Sequence, residues 1–259
     1  MYSAIIGCGP TGCFLLSLLR QSQARARLIA VADEEESLNM SGADQKILVK
    51  PGEKPAMAIG AFEAAFVVLD PSEGQVLQYA HAAASRISTE GGYVLGVAVN
   101  KPGSSLDVAE AARSFGGLAV IDAEWVMEKR GGAEKGGESE ERALQIAFNF
   151  TAHTLTFLTG IIDSGDLKVS LLKDVTAGGI CGFAASHVSE AEAIYAMTMS
   201  RIDRDRVKAG IVFLDAATED VLARRIFLKI AAGLPRESNL SMLRVPGLTP
   251  FKVMAMLVH

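Results

Sequence analysis

Gly7-Cys8-Gly9-Pro10-Thr11-Gly12, set directly after the apolar run Ala4-Ile5-Ile6, constrains this chain more than any other feature. The apolar triplet reads as a short buried strand, the glycine-punctuated stretch as a tight turn, and Cys13 to Leu19 as a buried helix. In such a unit the first glycine permits the turn. The second lets backbone N–H groups approach an anion without a Cβ in the way, and the third lets the helix pack closely on the strand. The positive end of the helix dipole then favours a phosphate. The same glycines would also serve a strand-helix turn that binds nothing.

The rest of the chain extends this beginning. Leu28 to Ala32 is a second strand that stops at the acidic run Asp33 to Glu36, and further strands are predicted at 47–49, 65–69, 93–99 and 118–121. Helical patterns fill 75–87 and 106–113 between them. Strands alternating with helices imply a Rossmann-like, doubly wound parallel sheet, and strands buried on both faces account for the 49% hydrophobic content.

Around 129–141 the chain turns Gly- and Glu-rich and reads as an exposed loop. About 20 residues with apolar side chains at helical spacing follow from Glu140 to Leu158, long enough to cross a domain face. Beyond them come helices at 166–175, 189–200 and 219–231, and strands at 179–185, 209–214, 240–245 and 251–258. The expected organisation is a nucleotide-binding domain over 1–137, a central connecting helix over 138–160 and a smaller α/β domain over 161–259.

Several function classes are disfavoured. A net charge of -5 with no basic stripe argues against a nucleic-acid surface. Cys8, Cys13 and Cys181 are too few and scattered for a disulfide framework or a zinc site, so no metal is expected. Neither a basic leader nor an apolar run of the ~20 residues that span a bilayer is apparent, so a cytoplasmic protein without a membrane segment is expected.

His153 is expected in the core of the long helix, and His81 and His187 have no partnered Ser or Cys that would make a triad. Trp125 is expected to pack a helix onto the sheet. Met197, Met199, Met242, Met254 and Met256 read as core filling.

Two readings of the first loop compete. Asp33 stands about 20 residues beyond it at the end of the second strand, where a dinucleotide-binding fold keeps the acid that grips a ribose hydroxyl. An NAD(P)-dependent oxidoreductase using Gly7 to Gly12 and Asp33 is therefore one reading, although no proton donor or substrate-side set follows downstream.

The other rests on a resemblance. Ile29 through Val49 is similar, without a gap, to the FtsZ stretch IAVNTDAQDLxMSxADKKILIG, with Leu38, Met40, Ala43-Asp44 and Lys46-Ile47 in register. Val94 to Pro102 resembles the FtsZ strand ending VGVVTKPF, and Leu158 to Asp163 resembles the end of the FtsZ helix reading LITxPGLIN. Asp166-Leu167-Lys168, Gly178 to Gly182 and Lys208 to Val212 follow in the same order. The chain thus resembles the tubulin/FtsZ superfamily along nearly its whole length.

That resemblance implies GTP or GDP at the carboxyl edge of the sheet and head-to-tail self-association. On the nucleotide side it implies Gly7, Cys8, Gly9, Thr11, Gly12 and Asp33, with Gly74, Lys101 and Pro102 opposite. It assigns Asp163 and Asp166 as the carboxylates that position a water for the neighbouring protomer.

The departures cluster at the nucleotide. The second phosphate loop, GGGTGTG in FtsZ, corresponds here to Leu69-Asp70-Pro71-Ser72-Glu73-Gly74-Gln75. A single glycine remains there, Pro71 removes a donor, and two acids stand where a triphosphate would lie. Each such charge at ~4 Å costs on the order of 1 to 4 kcal/mol. Asp163 and Asp166 are also closer together than in the NxDxxD pattern. The expectation is weak or absent GTP hydrolysis in a protein that self-associates as a dimer or filament, or acts as a partner of a true FtsZ.

Overall fold

The computed structural model describes residues 3–50, 57–104, 107–129, 137–187 and 202–259. The expected helix at 189–200, Met197, Met199 and most of the Gly/Glu-rich loop lie outside these residues. The first half alternates strand and helix: β1 (Ser3–Cys8), α1 (Gly9–Gln21), β2 (Arg27–Ala32), α2 (Glu35–Met40), β3 (Gln45–Leu48), β4 (Ala64–Leu69), α3 (Val76–Thr89), β5 (Tyr93–Asn100), α4 (Val108–Ala112) and β6 (Gly117–Asp122). The second half comprises α5 (Ala123–Lys129), α6 (Gly137–Asp163), α7 (Val169–Thr176), β7 (Ile180–Ser186), β8 (Ala209–Asp215), α8 (Asp220–Ala232), β9 (Asn239–Val245) and β10 (Val253–Val258).

The ten strands among the described residues join one sheet in the order β3-β2-β1-β4-β5-β6-β7-β10-β8-β9. Its first six follow the doubly wound order 3-2-1-4-5-6, parallel throughout. The sheet differs from a wholly parallel one at β10, which runs antiparallel to both neighbours, β7 and β8. At the seam, β6 meets β7 through only two register pairs, Leu118 with Ile180 and Ala119 with Cys181.

Burial follows the sequence pattern. β1, β4 and β10 are buried at every position because helices or loops cover both faces. Leu15, Leu16 and Leu19 of α1 and Ala147, Phe150 and Leu158 of α6 share one large apolar cluster with Ile5, Phe66 and Phe183 of the sheet. Tyr79, Ala80, Ala83 and Ile87 of α3 pack with Ile6, Val67 and Val94 on the other side. At the far end Ala223, Ile226 and Ile230 of α8 cover Val212, Leu214 and Ala255.

Three expectations change. α1 begins at Gly9 rather than Cys13, so most of the glycine motif forms the helix's first turn, and Pro10 suits the opening position because its missing N–H would have no partner there. His153 is exposed, with its ring edge-on to Phe251 at 6.4 Å, because it falls on the solvent side of α6. Met242 is 38% exposed, whereas Met254 and Met256 are buried as expected.

The segment that carries the FtsZ-like pattern has a structural role. Asp44 accepts the Leu28 N–H at 2.9 Å and the Arg20 guanidinium, while its own N–H donates to the Leu28 carbonyl at 2.9 Å. One carboxylate thereby ties the end of α1, the start of β2 and the approach to β3. Burial pushes the Asp44 carboxyl up, but the Leu28 bond and Arg20 outweigh it and hold it below the ordinary value.

Candidate functional site

The glycine motif lies at the carboxyl edge of β1, where α1 starts. Gly7 and Gly12 touch so closely that a Cβ on Gly7 would come within 2.3 Å of the Gly12 carbonyl oxygen, and one on Gly12 within 2.9 Å of the Val68 oxygen. Gly9 has φ +70, and a Cβ there would meet Val76 Cγ2 at 2.3 Å and a Glu73 carboxylate oxygen at 2.9 Å. The loop is therefore shaped as the sequence implies, but the start of α3 rests directly on it.

Glu73 makes that contact. Its Oε2 accepts the backbone N–H of Thr11 at 3.2 Å, and its Oε1 accepts the Thr11 hydroxyl. At the positive end of α1, a helix with no acid of its own in the first turn, the anion is a side chain of the same protein. Lys101 completes the arrangement, with Nζ 2.8 Å from both Glu73 Oε1 and Asp70 Oδ2. The Asp70 carboxylate is fully buried and also accepts the Ser72 N–H at 2.9 Å and the Ser72 hydroxyl at 2.6 Å.

The electrostatics close on themselves. Burial pulls the Lys101 ammonium down, but hydrogen bonds and charge from Asp70 and Glu73 overcome it and raise its pKa above the ordinary value. Burial, and then the Glu73 charge, push the Cys13 thiol up to about 12, and burial raises the Cys8 thiol further still. All three cysteines are buried and free, which leaves them protonated and unreactive.

Asp33 stands at the rim, where it accepts the Tyr79 hydroxyl at 3.2 Å; that hydroxyl also lies 3.3 Å from Gln75 Oε1. Burial first, then the Asp33 charge, raises the Tyr79 pKa. Gly74 turns with φ +40 and has open space around its Cα. Pro102 follows Lys101 in a turn that Ser104 closes by donating to the Lys101 carbonyl.

Thr11, Glu73, Lys101 and Asp70 thus form one connected network, with Gly7, Cys8, Gly9, Gly12, Gly74 and Pro102 as its frame. The sequence marked Glu73 and Asp70 as misplaced charge, but their mutual lysine and the Thr11 contact span 28 to 62 residues and left no local signal.

Asp163 and Asp166 are elsewhere. α1 and α6 run side by side in the same direction, with Phe14 against Phe148 at 5.3 Å and Ser22 against Thr156 at 3.4 Å. Asp163, the last residue of α6, therefore stands beyond the far end of α1, roughly 30 Å from the loop at 1.5 Å per residue. Asp166 accepts the Ser164 hydroxyl at 2.7 Å, while Asp163 Oδ1 is buried with no hydrogen-bond partner among the described residues. No group of His, Cys, Asp and Glu that could hold a metal occurs among the described residues, and no helix among them is long and apolar enough to cross a membrane.

No family model matches the chain, and no curated protein matches it in sequence. Solved structures do. An empty FtsZ dimer of M. jannaschii superposes with a TM-score of 0.73 at 16% identity, covering 100% of this chain and 88% of that one. CetZ2 from Haloferax volcanii, a GTPγS-bound protofilament, gives 0.70 at 14% identity over 100% and 92%. CetZ1 from the same organism, a GDP-bound monomer, gives 0.66 at 13% identity over 100% and 93%. The chain has a tubulin/FtsZ-like fold, and the dehydrogenase alternative gains nothing from these neighbours.

Proposed function

We propose that this protein is an FtsZ/CetZ-like assembly protein that stacks head to tail and does so without GTP turnover. The observation that carries the reading is the Glu73 carboxylate on the Thr11 N–H and hydroxyl, with Lys101 bound behind it. A phosphate needs that N–H, that hydroxyl and a cation. Here a tethered anion takes all three at no cost in translational freedom, and a free nucleotide would have to displace it.

The separation of Asp163 and Asp166 from the loop supports stacking as the geometry of association. Within one chain they do not meet, whereas a second copy placed along the direction of α6 would set its Asp163 and Asp166 over the first copy's loop. Such a contact joins unlike surfaces and propagates as an open filament. The CetZ2 neighbour is described as a protofilament, which is consistent with this use of the fold. GTP or GDP, if bound, enters between Gly7–Gly12 and Lys101 only as Glu73 swings out.

Sedimentation with parallel phosphate-release assays tests the reading. The expected result is pelletable polymer to the same extent with and without GTP, and phosphate release at background. Release rising steeply with protein concentration would overturn it, and so would a purified chain that never pellets and binds only to a true FtsZ.

A further inference from the structure

Three loops leave the carboxyl edge of the sheet side by side, because β1, β4 and β5 are neighbours: the first turn of α1 after β1, 70–75 after β4, and 101–104 after β5. Their backbone bonds are local. Within 70–75 the Glu73 N–H donates to the Asp70 carbonyl at 3.2 Å, and within 101–104 the Ser104 N–H donates to the Lys101 carbonyl at 3.1 Å. Among the described residues no backbone hydrogen bond crosses from one of these loops to another. The polar contacts that do cross are Thr11 with Glu73, Glu73 with Lys101 and Lys101 with Asp70. Of the middle loop, only Glu73 reaches both of the others.

We infer that Glu73 is a built-in ligand that joins these loops into one surface, so that the order of this edge needs no bound anion, and that an emptied cradle would hand the role to a carboxylate or phosphate from solution. The Thr11 N–H belongs to the first turn of α1, where a backbone donor has no partner within the helix. That N–H, the Thr11 hydroxyl and the Lys101 ammonium converge on a single carboxylate, which is the arrangement of a small-anion site with a tethered occupant. The tether removes the loss of translational freedom that a free anion would meet. Gly74, the next residue, has φ +40 and open space around it, so no packing at that position holds Glu73 in place.

Lys101 keeps Asp70 when Glu73 is removed, which confines the loss to the join between the first two loops. The inference rests on the stacking reading for one consequence alone: a copy placed over this edge meets a surface already ordered without nucleotide.

Hydrogen exchange with chemical rescue tests it. Glu73→Ala should speed exchange over 9–14 and 70–75 by about tenfold or more, and leave 101–104 nearly as slow as before. Acetate, the carboxylate that the substitution removes, and pyrophosphate are the two probes. Either should restore slow exchange to this variant and leave the wild type unchanged, and the one that acts states whether the cradle takes a carboxylate or a phosphate. Glu73→Gln keeps an oxygen on Thr11 and still fills the cradle, so it should exchange at an intermediate rate and respond to neither anion. Faster exchange spread through the whole sheet, exchange unaltered by Glu73→Ala, or rescue equalled by sodium chloride at the same ionic strength would each overturn the inference. Pelleting of the same variants is scored separately: Glu73→Ala should pellet several-fold less and recover with the rescuing anion. A wild type that never pellets defeats the stacking reading, while the exchange result still decides this one.

Discussion

The glycine loop and the far end of α6, to which the sequence resemblance assigns the nucleotide and the water-positioning carboxylates, are built in opposite ways. At the loop every charge has a partner within the same chain: Thr11 with Glu73, Glu73 with Lys101, and Lys101 with Asp70. At the end of α6 the carboxylates persist, with one oxygen of Asp163 left unpartnered among the described residues. A site that satisfies itself has little to gain from a ligand, whereas one that does not still has something to offer a neighbour.

The comparison breaks most visibly if the frame is broken. Gly7→Ala places a methyl 2.3 Å from a backbone oxygen that has no flexible end to move. Chemical denaturation should report a loss of about 3 kcal/mol or more, at the upper end of overpacking costs. Lys101→Met comes next, since it leaves the buried Asp70 without its counter-charge. A loss of about 2 to 4 kcal/mol is expected by the same measurement, somewhat below that of a fully dry ion pair because the lysine is about a third exposed.

Emptying the cradle sharpens the contrast instead. Glu73→Ala should make pyrophosphate or GTP binding detectable by calorimetry, with affinity raised about tenfold or more, because one like charge at ~4 Å is worth on the order of 1 to 4 kcal/mol. Unchanged affinity would mean that the cradle does not face a ligand even when free.

pH offers a smaller effect with a fixed sign. The Lys101 pKa is raised in the folded state, so its contribution to stability is complete below the unfolded value near 10.5 and is lost as pH rises through the folded one. Asp44 is the opposite case: its lowered pKa contributes above the unfolded value near 3.8, and that contribution disappears as pH falls. Thermal unfolding across pH should show both flanks, and Lys101→Met should flatten only the alkaline one. Asp163→Asn should change stability least, within about 0.5 kcal/mol, while impairing pelleting if that end touches a second copy.

Much of the fold was legible because β1, β2, β4, β5 and β6 are apolar runs bounded by glycine or acid, and α3 and α6 carry apolar residues at helical spacing. α2 was missed because its six residues open on an acidic run that reads as a turn, and α5 because its seven residues follow β6 with no break. His153 was misplaced because α6 is apolar enough that one turn of phase cannot be read from the sequence alone. The glycine loop's shape was readable from its spacing, but its filling was not, since Glu73 reaches Thr11 across 62 residues. The sequence marked a charge out of place for a phosphate; the structure shows that this charge rests on the Thr11 N–H and hydroxyl.

β10 lies between β7 and β8, although it follows both of them, and β9, in sequence. During synthesis β8 and β9 can pair early as a parallel unit, but they have no lateral attachment to the first seven strands until residues 253–258 leave the ribosome and slot into the gap. The sheet is therefore joined by a strand that follows both of the pieces it connects. Until residues 253–258 are added, β7 and β8 each present an open strand edge, which makes that interval an aggregation-sensitive one.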